Sequence, residues 1–316
     1  MNWTDLRQSL IGKVPPVVLP PSLKLPVLPT AVIEFNRKAD DPNVGGHELA
    51  KIVEADAGLT CELLKHANSA SMGLRTRVNG AKQALSVLGI RNVKMLLISF
   101  GVERALKASQ SKLVNFQVFA AGNLERALFA RELSRRTGAD SELSFAASML
   151  TDFLLPALGN ELLETYLNFL SLPDSARPAL VQFERKAFGW DHALAMGQMM
   201  HSWNFPDDLV CSVLLHHAGV TLLKHPQMKS TSCAVVACAS LIPDPLKQSP
   251  DGLKQLLELE AIIPNLSLQE MAENVQRSFQ ELSQGLKNPF PLVRRLEKLL
   301  VSASPPGQLT TASSGP

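Results

Sequence analysis

Apolar positions recur at three- and four-residue intervals along most of this chain, the spacing that predicts helices. Trp3, Leu6 and Leu10 open the series as a short helix between Asn2 and Ile11. Pro15-Pro16, Pro20-Pro21, Pro26 and Pro29 then keep the backbone extended, because proline fixes φ and lacks a donor. The run reads as a strap leading to the first folded helix; binding to a proline-reading module is the alternative. Glu48 to Glu54 buries Leu49, Ile52 and Val53, and Asp56 is placed to cap the helix carrying Leu59, Leu63, Leu64 and Ala67. Ala81, Ala84, Leu85 and Leu88 fall at i, i+3, i+4 and i+7, with Gly89 as the stop. Val93, Leu96, Leu97 and Phe100 repeat the pattern. No stretch alternates cleanly with period two, so the predicted class is all-α.

The most apolar stretch, Phe145 to Gly159, predicts one buried helix too short to cross a membrane. Asp152 is its only charge, and a buried carboxylate must be paired, hydrogen-bonded or metal-bound. After Leu241, Pro243, Pro245 and Pro250 mark a break. Ser267-Leu-Gln-Glu270 is a capping box opening a helix that presents Met271, Val275, Phe279, Leu282 and Leu286 on one face. A last helix carries Leu292, Val293, Leu296, Leu299 and Leu300, backed by Arg294, Arg295 and Lys298. It either packs back on its own domain or docks on a partner or an acidic membrane surface. Ser302 to Pro316, rich in Ser, Thr, Gly and Pro, predicts disorder.

Composition narrows the picture. In 316 residues, 46% apolar content supports a sizeable core, and a net charge of +2 does not mark a nucleic-acid binder. Cys61, Cys211, Cys233 and Cys238 include no Cys-x-x-Cys pair, and no signal sequence or membrane span is evident, so a soluble cytoplasmic protein with free thiols is expected. Leu63 to Val102 holds Lys65, Arg75, Arg77, Lys82, Arg91 and Lys94 but no carboxylate. Sharing one face, these would bind an anionic partner; on different sides, they would pair with carboxylates elsewhere. There is no phosphate-cradling glycine loop and no G-x-S-x-G elbow, and Cys211 reads as a buried structural thiol.

Leu25-Pro-Val-Leu-Pro29, Leu49-Ala-Lys-Ile-Val-Glu-Ala-Asp-Ala-Gly-Leu-Thr60 and Leu63-Leu-Lys-His-Ala-Asn-Ser-Ala70 resemble the opening of an HDOD domain, the HD-related output domain of bacterial signalling proteins. The likeness continues through Ala84-Leu85, Leu88-Gly89 and Val93 and runs from about Leu19 to Gly219. It implies a multi-helix HDOD bundle whose second half resembles a degenerate HD-type phosphohydrolase. The organisation expected is a lead-in helix and strap over 1–18, the HDOD domain over 19–242, a helical extension over 243–302 and a disordered tail over 303–316.

HD-type hydrolases hold a divalent metal through a histidine, a His-Asp doublet and a distant aspartate, because the metal must activate bound water. The resemblance sets Gly122, Thr151-Asp152 and Ser240 at those positions, so Asp152 is the one remaining ligand and metal-dependent catalysis is not expected. His192, in Gly189-Trp-Asp-His-Ala193, and His216-His217, in Leu215-His-His-Ala218, match family positions and join Asp152 as candidate pseudo-active-site residues. Neighbours on a helix point about 100° apart, so His216 and His217 are not expected to face one centre. A metal site from Asp152, His192 and one of that pair is the minority alternative.

The resulting expectation is a non-catalytic regulatory module that binds a protein partner or a ligand and needs no cofactor. Arg75, Arg77, Lys82, Arg91 and Lys94 are its candidate contacts to an anionic partner. Two rivals stay open: a phosphohydrolase of nucleotides or cyclic dinucleotides with an irregular ligand set, and a nucleotide- or RNA-binding regulator using residues 65–94.

Overall fold

The structure, a computed structural model, describes residues 1–303 except 24–26, 70–71, 73–76, 108–109 and 284. Of residues 106, 107 and 300–303 it describes the backbone alone. The tail after residue 303, Arg75 and the Leu300 side chain therefore lie outside the described residues.

Helices account for the fold, and the described residues contain no strand. The first half comprises α1 (Trp3–Ile11), α2 (Thr30–Lys38), α3 (Gly46–Glu54), α4 (Ala57–Ala67), α5 (Ala81–Leu88), α6 (Ile90–Lys107) and α7 (Phe116–Thr137). It continues through α8 (Ser141–Leu150), α9 (Leu155–Glu161), α10 (Leu163–Ser171), α11 (Leu180–Phe188), α12 (His192–Ser202) and α13 (Asp207–Leu214). A 3₁₀ turn, His216–Ala218, precedes α14 (Thr221–Lys224) and α15 (Ser232–Ala239). The chain closes with α16 (Gly252–Leu257), α17 (Leu259–Ile262), α18 (Leu268–Leu282) and α19 (Leu292–Ala303).

Local signals act where the sequence places them. Asp56 caps α4 by accepting from the Gly58 and Leu59 amides, and Arg104 pairs with the same carboxylate at 2.7 Å. Ala81, Ala84, Leu85 and Leu88 all turn inward, and Gly89 ends α5 at φ 80°, where a side chain would be strained. Ser267 accepts from the Glu270 amide at 3.2 Å, forming the first half of the capping box. The lead-in helix α1 docks on α13, with Arg7 pairing to Asp207 at 2.5 Å, and Gln198 holds the strap by bonding Val17 and Pro15.

The expected single helix from Phe145 to Gly159 is two. Pro156 has no amide hydrogen to give the Asp152 carbonyl, so the α-helical register cannot run through. The chain turns over residues 151–154, the Asp152 carbonyl accepts from Leu155 at 3.0 Å, and α9 starts with proline in its first turn. Burial is as expected, since Phe145–Gly159 is buried throughout. This break lifts Asp152 out of a helix face and sets it in a turn.

α7 lies at the centre, packed against α8, α15 and α18, while α8 also meets α6 and α13. One hydrophobic cluster runs from Leu28 to Leu296 and takes in Met271, Val275 and Phe279 of α18 and Leu292 of α19. The last helix therefore packs back on the bundle: its Leu292 amide donates to buried Glu125 at 2.7 Å, and Arg295 donates to the Pro243 carbonyl. No single helix among the described residues is long and apolar enough to cross a membrane.

Replacing Asp56 with alanine removes the α4 cap and is expected to cost about 1 kcal/mol. Urea denaturation measures it; an unchanged midpoint would contradict the assigned cap.

Candidate functional site

Asp152 lies in the turn between α8 and α9 at 1% exposure, and its two oxygens meet different neighbours. Oδ2 accepts from Arg126, buried on α7, and from the Gln248 side chain at 2.9 Å. Oδ1 has no donor; it faces His192 Nε2 at 3.6 Å and His216 Nε2 at 3.8 Å. Burial alone would raise the carboxyl pKa, but Arg126, then His192 and His216, hold it below the usual carboxylate range.

Arg126 stands one turn after Gly122 on α7 and donates also to Asn123. Gln248 comes from the loop after Pro243, where half-buried Asp244 accepts the Leu246 and Gln248 amides and fixes that loop. Burial, with Asp152 nearby, pushes the Asp244 carboxyl up against the pull of Arg126. The loop thus closes over the Asp152–Arg126 pair.

The histidines are oriented from behind. His192 opens α12 after its cap, Asp191, and its Nδ1 lies 2.7 Å from Glu184 on α11. Glu184 also accepts the His192 amide at 3.0 Å and the hydroxyl of Tyr166, on α10, at 2.7 Å. Burial works to lower the His192 pKa, but the Glu184 carboxylate outweighs it and raises the value to about 9. His216 points Nδ1 at the Val213 carbonyl, 2.6 Å away. Burial, then the neighbouring His192, lowers it to about 4.

His216 and His217 do converge, contrary to the expectation from helical geometry. α13 ends at Leu214, the pair sits on a 3₁₀ turn closed by Gly219 at φ 59°, and both imidazoles curl toward His192. His192 Nε2 is 3.3 Å from His216 Nε2 and 3.0 Å from His217 Nε2. The reach of an imidazole outweighs the angle between adjacent Cα–Cβ bonds. Asp152, His192, His216 and His217 therefore form one cluster.

The positions that the resemblance sets at the HD metal ligands offer little to that metal. Gly122 offers no side chain. The Thr151 hydroxyl donates to the Ser148 carbonyl at 3.0 Å, and Ser240 donates to Val236 at 3.0 Å. Both hydroxyls are committed to their own helices.

The expected basic patch does not hold together. Arg91 pairs with Asp140 and Asp208, both at 2.9 Å, and Lys94 is buried against Asp40 at 2.7 Å. Lys65 lies 3.7 Å from Glu62. Arg77 and Lys82 are exposed, and Arg75 is outside the described residues. Elements meeting from three directions supplied carboxylates that no reading of 63–102 alone contains. Cys211 and Cys233 are buried, and burial pushes both thiols up, as suits structural residues.

Sequence reading missed Arg126, Glu184, Tyr166 and Gln248. Glu125-Arg126, the only charges between Phe116 and Ala130, was the available signal for the first, and the sole tyrosine of the chain for the third.

Comparison with known proteins agrees with this architecture. The family model of the HDOD domain matches residues 25–219. An HDOD domain protein of unknown function from Geobacter sulfurreducens superposes with a TM-score of 0.54 at 18% identity, covering 94% of each chain. A protein from Shewanella amazonensis SB2B, named as a candidate metal-dependent phosphohydrolase, gives 0.58 at 15% identity, covering 86% of this chain and 93% of its own. At these identities the likeness establishes the fold. An uncharacterized protein of Treponema pallidum (strain Nichols) is 24% identical over 269 residues, 81% of this chain and 50% of the relative, so the chain spans about half that relative's length.

Removing Arg126 leaves a buried charge without its partner. Arg126→Met is expected to destabilise the fold by about 3 kcal/mol, and adding Asp152→Asn to recover much of it. Chemical denaturation of the single and double variants decides; a single variant within about 0.5 kcal/mol of wild type would remove Arg126 as the principal counter-charge.

Proposed function

This chain belongs to the HDOD domain family, and from that premise we propose that it is a regulatory signalling module that acts by binding a protein partner, without catalytic turnover. The observation that carries the reading is the Arg126–Asp152–Gln248 contact. In an HD hydrolase the doublet aspartate grips the metal that activates water. Here a guanidinium and an amide take one oxygen of that aspartate, while Gly122, Thr151 and Ser240 supply none of the other grips. The site keeps the shape of a hydrolase centre with its water-activating donors replaced.

Burial supports the same reading. Asp152, His192 and His216 are each 1% exposed, and Gln248 from the loop after Pro243 donates to Asp152. Phosphoryl chemistry needs an open coordination position and a path for the substrate. A binding module needs neither, and its response is a shift in helix packing that both partner and bundle feel. The exposed cations that remain, Arg77 and Lys82, are the assigned contacts to an anionic face of the partner.

Turnover assays test this. Purified chain given Mn²⁺ or Fe²⁺ is expected to release no product from cyclic dinucleotides or bis(p-nitrophenyl) phosphate above the metal-only blank. Hydrolysis that disappears in Asp152→Ala would contradict the reading and establish the hydrolase with an irregular ligand set.

A further inference from the structure

Five helices leave a cavity of about 330 Å³ between them, and its described lining shares no residue with the Asp152 cluster. Leu96 and Phe100 of α6, Leu124 of α7, and Phe145 and Met149 of α8 form the apolar wall. On α6, α7 and α8 the lining residues fall four or seven apart, on one face of each helix. α4 adds His66, and the end of α18 brings Leu282, 39% exposed, to the mouth. Apolar walls with a few placed polar groups characterise small-molecule sites, and this volume lies at the lower end of their range.

Arg131, also in the lining, is held at two points. Its guanidinium lies over the Phe145 ring, 3.9 Å from the centroid, and Nη2 donates to Glu142 at 2.9 Å. The Nε–H is buried and has no acceptor. A buried donor left unpaired is costly, and native structures keep few of them without a functional reason. Charge narrows what fits beside it. Glu62, Glu103 and Glu281 line the cavity against Lys65 and Arg131, and Arg131 is already matched by Glu142. Burial, then Arg131, lowers the His66 pKa from its ordinary value, so this ring adds no charge at neutral pH. An anion entering here meets a surplus of carboxylates.

We propose that this cavity binds an uncharged, mainly apolar ring compound whose carbonyl-type oxygen accepts from Arg131 Nε–H. The rings bury against Leu96, Phe100, Leu124 and Met149, and removal of apolar surface from water supplies most of the affinity. The oxygen satisfies the Nε–H and gives the ligand its orientation. α4 and α6 stand on one side and α7, α8 and α18 on the other, so an occupant touches both sets of helices. Binding requires nothing of Asp152 and is independent of turnover.

The test is fluorescence titration of the full chain with prodan, a neutral naphthalene ketone. Its emission is expected to shift to the blue and to saturate at one probe per chain. Leu124→Trp, which fills the cavity, and Leu282→Trp, which plugs its mouth, should each weaken binding about tenfold or more. Leu282 is exposed, so its variant leaves the core intact, and urea midpoints verify the folding of both. Arg131→Lys keeps a cation beside Glu142 and removes the Nε–H. It should weaken prodan about tenfold, the worth of one hydrogen bond, and leave dimethylaminonaphthalene, which lacks the ketone, unchanged. No saturable binding to the wild type overturns the proposal. Binding untouched by both tryptophan variants overturns it too, by placing the probe elsewhere. Equal losses of the two probes in Arg131→Lys remove the assigned hydrogen bond, and tighter binding of the anionic anilinonaphthalene sulfonate contradicts an uncharged ligand.

Discussion

A negative charge at the centre of an apolar bundle is the constraint on which this structure turns. An isolated buried carboxylate costs several kcal/mol, more than any one packing contact returns. Asp152 is tolerated because α7 brings Arg126 to one oxygen and the loop after α15 brings Gln248 beside it. The other oxygen looks onto two histidines, His192 from α12 and His216 from the 3₁₀ turn. Elements remote in sequence are thereby tied to one atom pair, and the bundle's second half is organised around them.

The same contact separates shape from chemistry. A fold shared with hydrolases needs its helices at the right angles, which the apolar faces of α7, α8, α13 and α15 secure. Hydrolysis also needs donors at defined points, and those are single residues that substitution replaces without disturbing the packing. On the proposed reading, Gly122 in α7, Thr151 at the end of α8 and Ser240 after α15 are such replacements. Arg126, one turn from Gly122, supplies the positive charge beside Asp152. Function therefore follows from the site and not from the fold.

Much of the bundle was legible in the chain. Helical periodicity identified α3 to α6, Asp56 announced its cap and Gly89 its stop, because these signals act within a few residues. Asp152 stood out for the same reason, as a lone charge in apolar surroundings. Its partners did not, since Arg126 lies 26 residues away and Gln248 lies 96 away, and only tertiary packing joins them. Two readings failed on geometry. Pro156 breaks the helix that apolar periodicity runs straight through, and the His216-His217 turn brings together side chains that an ideal helix separates. Of the two readings of the basic stretch, Arg91 and Lys94 follow the one that pairs them with carboxylates elsewhere, and Asp40, Asp140 and Asp208 are invisible to a local count of charges.

The division of the Asp152 carboxylate is best tested by anomalous diffraction from crystals of the intact chain grown with Zn²⁺. The predicted map places Arg126 and Gln248 on Oδ2 and no ion on that oxygen. Arg126 swung away, with a water-bearing ion on Oδ2, would contradict it.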